Sequence, residues 1–147
     1  MRGVTASPPP LARAIARFAL AAIFLVAGAA HLSWPAPFVG VTPDWVPAKE
    51  MVIALTGVAE LLGAIGLLIP RLRKAAGIGL GLYAVCVFPA NIKHAADYFA
   101  AHGWGPGWLY HGPRLLLQPV IVWWALWASG VTDWPFHRAA DTQTPAE

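Results

Sequence analysis

The sequence predicts an all-α integral membrane protein, a four-helix bundle with both termini in the cytoplasm. Three observations carry that reading. Hydrophobic residues make up 58% of the 147 and charged residues only 12%, with a mean hydropathy of +0.58, whereas a soluble domain usually carries about 25% charged residues. Apolar runs recur along the chain, and at about 1.5 Å rise per residue they match the ~30 Å of hydrocarbon in a bilayer. Basic residues gather at alternate ends of those runs, as the positive-inside rule requires.

Taken in order, residues 1–10 end in Ser7-Pro8-Pro9-Pro10 and read as a disordered tail. Residues 11–32 form the first span, with Arg13 and Arg17 snorkelling to the inner headgroups. Ala27-Gly28-Ala29 also fits a secretory cleavage site, but the strongly apolar chain downstream favours an uncleaved helix. Residues 33–50 are a loop. Pro35, Pro37, Pro43 and Pro47 oppose helix formation there, and Trp34, Phe38 and Trp45 place it along the membrane surface.

The second span covers residues 51–69, followed by Pro70 and a basic turn of Arg71, Arg73 and Lys74. The third covers 75–98. Pro89 is expected to kink it and to free the carbonyl of Val85, which must then find a donor inside the membrane. Residues 103–113 form an outer loop rich in Gly and Trp, and the fourth span covers 114–131 with Trp123, Trp124 and Trp127. The polar residues 132–147 read as a second disordered tail, leaving one transmembrane domain at 11–131.

Orientation follows from the cations. Arg2, Arg13, Arg17, Arg71, Arg73, Lys74 and Arg138 fall on one side, against Lys49, Lys93 and Arg114 on the other. The richer side is the cytoplasm. The net charge of +3 thus marks topology, and no basic stripe with interleaved aromatics suggests nucleic acid. Cys86 is the sole cysteine, so no disulfide or paired-thiol chemistry is available within the chain. It reads as a small buried hydrophobe. Gly77 and Gly81 form a GxxxG pair, and Gly57 and Gly63 lie near one face of their helix, as helix-packing positions do.

Polar residues inside the spans carry the functional signal. Glu60 lies nine residues after Met51, about 13 Å below the outer end of its helix. A carboxylate near the midplane costs several kcal/mol unless paired, about 3 for the comparable aspartate. Thr56, Gly57, Gly63 and Ala64 share its face, so Glu60 is expected to point at another helix. It either locks helices together or binds a ligand or proton. Asn91 and His94 share a face of the third span, Arg114 and Gln118 share one of the fourth, and His31 lies a turn inside the first.

Their depths are graded, cation outermost and Glu60 deepest, which suggests a pocket opening outward. The candidate ligand-binding residues are therefore His31, Glu60, Asn91, His94, Arg114 and Gln118, with Glu60 as candidate proton carrier. Each also has a structural reading, from helix bridging for Asn91 to lipid anchoring for Arg114. Gln118 is placed to cover carbonyls freed by Pro119. No short His/Cys spacing enforces a metal site, and His102, His111 and His137 read as solvated residues of loops or tail.

The motifs Gly28-Ala-Ala-His31, Thr56-Gly-Val-Ala-Glu60-Leu-Leu-Gly, Gly66-Leu-Leu-Ile-Pro70, Phe88-Pro-Ala-Asn91 and Arg114-Leu-Leu-Leu-Gln118 occur in this order. The chain thereby resembles the DoxX-like family of small bacterial membrane proteins. The resemblance implies a four-helix bundle in the bacterial inner membrane, and points to His31, Glu60, Asn91, Arg114 and Gln118. Some relatives are subunits of thiosulfate:quinone oxidoreductase, others associate with redox or oxidative-stress proteins, and distant ones act as chaperones or cargo receptors. The chain departs from the pattern at Leu32 and Leu116, where many relatives have an aromatic and a proline.

The expected function is a redox-associated membrane subunit that binds a quinone or similar lipophile. Polar side chains would donate to its carbonyls and Glu60 would handle protons. No complete catalytic centre is visible, so electrons would come from a redox partner protein or a bound cofactor. Membrane lipid and a second copy of the chain are the other expected partners. The alternatives are a non-catalytic scaffold or assembly factor, and a transporter of small solutes or protons.

Overall fold

The computed structural model describes residues 10–136, and within them every regular element is helical. The order is α1 (Pro10–Ser33), α2 (Ala36–Val41), α3 (Lys49–Leu68), α4 (Arg73–His102) and α5 (Trp108–Ala128). The four long helices pack in a ring in which α1 touches α3, α3 touches α4, α4 touches α5, and α5 returns to α1. Three of them, α1, α3 and α4, are long and apolar enough to cross a membrane. The sequence expectation of four such runs is met only at that coarser level. In α5, Arg114, Gln118, Pro113 and Pro119 dilute an otherwise apolar helix.

Several boundaries differ from those expected. The loop at 33–50 contains α2, a six-residue helix with Pro35 at its N-cap and a further proline in its first turn. Proline is tolerated there because the first N–H groups of a helix have no intrahelical partner. Between Pro47 and the start of α3, Ala48 adopts the left-handed conformation at φ 46°. The exposed Asp44 accepts from Lys49 at 2.7 Å, and this ammonium holds its carboxyl below the usual range. Helix α4 runs 30 residues, about 45 Å, so it exceeds the hydrocarbon thickness and its Lys93–Asp97 pair and exposed His102 lie toward its far end.

Helix α5 begins at Trp108, six residues before Arg114. Gly103, at φ +70°, ends α4, and Gly105-Pro106-Gly107 turns the chain into α5. His111 therefore belongs to a helix. It is buried against His94, Tyr98 and Phe99, which corrects its assignment as a solvated loop residue. His102 is exposed and stacks on Tyr98, while His137 lies outside the described residues.

The core is Leu20, Ala21 and Phe24 of α1, Ala64 and Leu67 of α3, Leu80 of α4, and Ala125, Trp127 and Ala128 of α5. Small residues set the helix spacing. A Cβ on Gly28 would sit 2.8 Å from the Gly57 carbonyl oxygen, and one on Gly57 would sit 3.0 Å from that of Gly28. The backbones of α1 and α3 are thus nearly in contact, as small residues allow where no hydrophobic effect drives association. Gly77 of the predicted GxxxG pair receives Ser129 and the Ala125 carbonyl of α5 in the same way.

Large apolar side chains cover the outside of the ring, among them Ile15, Phe18, Val26, Leu62, Leu82 and Leu116. Cys86 is exposed, not buried as the apolar run suggested, and borders a cavity between the helices. Residues 132–136, assigned to the tail from sequence, fold back instead. Asp133 pairs with Arg13, the Trp134 carbonyl accepts from Trp123, and Phe136 packs on Trp127. The rest of both tails, residues 1–9 and 137–147, lies outside the described residues.

Candidate functional site

One cavity of about 750 Å³ opens between the helices, and its lining is mostly apolar. Helix α1 contributes Phe24, Ala27 and His31, and α3 contributes Thr56 and Glu60. Tyr83 and Asn91 come from α4, and Arg114, Gln118 and Trp124 from α5. Phe38 of α2 and the exposed Trp45 border it from the loop. Hydrogen bonds and charged contacts between α1 and α5 gather at the opposite end of the bundle. There Trp124 donates to the Ala16 carbonyl at 3.0 Å and Arg13 lies over Trp127 at 5.4 Å. Toward the other end, Ile23 and Ala27 of α1 and Leu117 and Ile121 of α5 line the cavity instead.

Glu60 is 3% exposed, which places it in the bundle interior as its small-residue face requires. The Tyr83 hydroxyl donates to its Oε1 at 2.8 Å. Its Oε2 lies 2.8 Å from Nδ1 of His31. That Nδ1–H is aligned on the Ala27 carbonyl at 2.9 Å, so Oε2 has the imidazole beside it and no aligned hydrogen bond. Phe38 stacks on the His31 ring at 3.9 Å between centroids. Three helices thus meet through Tyr83, Glu60 and His31, in the pairing a buried carboxylate needs.

A second polar layer joins α4 to α5. Asn91 donates to the Gln118 side-chain oxygen at 2.9 Å, and the Gln118 amide donates to the Ala84 carbonyl. Pro89 lies in the following turn of α4, so Gln118 serves the disturbed turn of its neighbour. It does not cover its own helix, as expected from Pro119, and the acceptor is Ala84, one residue before the expected Val85. A third layer lies farther out. Arg114 Nη1 is 3.1 Å from His94 Nδ1 and donates to the Tyr110 hydroxyl at 3.3 Å. Among the described residues no carboxylate pairs with Arg114.

The six candidates drawn from the sequence therefore fall into three contacting pairs, His31 with Glu60, Asn91 with Gln118, and His94 with Arg114. Five of them line the cavity, while His94 braces Arg114 from outside the lining. The sequence did not single out Tyr83, the direct partner of Glu60. The signal was weak, a lone tyrosine in an apolar run, although a buried carboxylate implies a donor somewhere. The arrangement can hold a lipophile against aromatic walls, with the contacting Tyr83, Glu60 and His31 and the Arg114 guanidinium in its lining.

A family profile described as a domain of unknown function (DUF8561) matches residues 20–129, a segment that holds all six candidate residues. No curated protein and no solved structure matches the chain.

Proposed function

The chain belongs to the DUF8561 family, and we propose that this member is a redox-associated subunit of a bacterial inner membrane that binds a quinone or similar lipophile. The observation that carries this reading is the cavity of about 750 Å³, mostly apolar, with the buried Glu60 in its wall. Its size falls within the roughly 300–1,000 Å³ of ligand-binding cavities. A quinone fits its chemistry, since aromatic and aliphatic walls receive the ring and tail. Arg114 is at hand for an acceptor, and the Tyr83–Glu60–His31 triad can exchange protons. Electrons come from a partner or bound cofactor, with the chain binding and protonating the carrier.

The same proposal makes α5 a fourth span and puts both termini in the cytoplasm. Leu116, Leu117 and Val120 of α5 are exposed apolar residues, as a lipid-facing helix requires. The basic turn at Arg71, Arg73 and Lys74 supports the orientation. The ordered motifs that resemble the DoxX-like proteins support both the topology and the redox association.

A second reading rests on a different observation. Glu60 ties α1, α3 and α4 together, which is also what a scaffold subunit would require. Protein extracted in mild detergent from its native membrane, with and without Glu60→Gln, separates the two. The visible spectrum and mass spectrometry of co-extracted lipids are expected to show a stoichiometric quinone that the variant loses while remaining folded. No bound molecule in either sample, with partner proteins retained, would transfer the assignment to the scaffold.

A further inference from the structure

Among the polar side chains of the cavity lining, His31 keeps one ring nitrogen, Nε2, without a protein partner among the described residues. The imidazole is held on its other side. Nδ1 lies 2.9 Å from the Ala27 carbonyl and 2.8 Å from Glu60 Oε2, and Phe38 stacks on the ring face. A carbonyl and a carboxylate can only accept, so together they keep the proton on Nδ1. Nε2 is then an acceptor. No protein group among the described residues hydrogen-bonds to it, and unlike Glu60 Oε2 it is not sealed off as a buried unpartnered atom. His31 lines the cavity, whereas Asn91 and Gln118 spend hydrogen bonds on each other and on the Ala84 carbonyl.

We propose that the cavity selects a lipophile carrying a hydroxyl, whose O–H donates to His31 Nε2, with Glu60 and Tyr83 as positioning residues behind the imidazole. This inference rests on the cavity reading above and adds the class of ligand. A carboxylate against the far nitrogen fixes the tautomer and raises the basicity of the near one, as in carboxylate–histidine pairs elsewhere. An aryl hydroxyl suits the site best, because Phe24, Phe38, Tyr83 and Trp124 supply aromatic wall on several sides. Among carriers that exist as carbonyl and hydroxyl forms, the site favours the hydroxyl form.

The test uses the full chain in lipid nanodiscs, with 4-decylphenol and its methyl ether 4-decylanisole as probes. The two share shape and tail, and only the first can donate. Binding is read by quenching of tryptophan fluorescence, since Trp45 and Trp124 line the cavity. The phenol is expected to bind about tenfold more tightly than the ether, which corresponds to about 1.4 kcal/mol. His31→Phe keeps a ring at the position and should bring the phenol-to-ether affinity ratio down to about one, whatever it does to the two affinities in common. Glu60→Gln, which leaves Nε2 in place but removes the carboxylate behind the imidazole, should shrink the phenol-to-ether ratio to about threefold, whereas general loosening of the cavity would weaken both probes by the same factor and leave the ratio unchanged.

Equal binding of the two probes to the wild type, or a preference that survives His31→Phe, overturns this inference and leaves the cavity reading standing. Failure of both probes to bind overturns the two together. Should His31→Phe not fold, histidine nitrogen NMR on the wild type decides. A shift of Nε2 with phenol and not ether supports the assignment, and any other pattern overturns it.

Discussion

The Tyr83 hydroxyl donates to Oε1 of Glu60 at 2.8 Å, and this is the only hydrogen bond that carboxylate receives among the described residues. Its loss should therefore matter. In Tyr83→Phe the packing against Phe24 is kept, but a buried carboxylate oxygen loses its donor. Such a loss costs about 1–3 kcal/mol, more for a charged group. Thermal unfolding in detergent should show the loss, and Glu60→Gln should be the milder change because it removes the charge with the donor still in place. The opposite order would mean that Glu60 is stabilised chiefly by His31.

Gly28 and Gly57 set the distance between α1 and α3. A valine at either position would meet backbone as well as side chains, because the other glycine's carbonyl oxygen lies 2.8 to 3.0 Å away, beside Leu61 for Gly28 and Leu32 for Gly57, and the carbonyl cannot swing aside as a side chain can. Gly28→Val or Gly57→Val should destabilise the bundle by about 1–3 kcal/mol, the usual cost of overpacking. Gly79→Val should be nearly silent, since a Cβ there meets nothing within 4 Å. Melting temperatures of the three variants in one detergent make the comparison.

How much of this was legible beforehand depends on range along the chain. Apolar runs, prolines and charges are local signals, so the long helices and the inward face of Glu60 could be read directly. Pairing is not local. Nothing near residue 83 says that its hydroxyl meets Glu60, 23 positions away, and nothing near Gln118 says that it bonds the Ala84 carbonyl instead of its own helix. The misreadings have the same origin. His111 looked like loop because Gly-Pro-Gly precedes it closely, yet the turn ends at Gly107 and the helix has already begun. Cys86 looked buried because its run is apolar, but in a bilayer an apolar run is as much outside as inside.

Asn91 and Gln118 should act as a unit. Gln118→Leu strands the Asn91 amide and removes the donor from the Ala84 carbonyl, and Asn91→Leu strands only the Gln118 oxygen. Gln118→Leu should therefore be the more costly. Interhelical hydrogen bonds in membranes average about 0.6 kcal/mol of coupling, with a maximum near 1.7, so a double-mutant cycle should give a positive coupling in that range. Strictly additive effects would show that the two amides are held independently.

Arg13 makes two kinds of contact at the opposite end of the bundle, and their magnitudes predict different variants. Its pairing with Asp133 joins side chains that are 24% and 56% exposed, and ion pairs in that setting contribute about 0–1 kcal/mol and weaken with salt. Asp133→Asn should therefore shift stability by less than about 1 kcal/mol, and added salt should narrow the difference further. Its guanidinium also lies 5.4 Å from the ring centroid of the buried Trp127. A cation over a desolvated indole is worth up to about 2 kcal/mol and is less open to screening. Arg13→Gln should consequently cost more than Asp133→Asn, and the excess should persist in high salt. If the two variants lose the same stability and salt erases both losses, the ion pair carries the contact and the indole contributes only its packing.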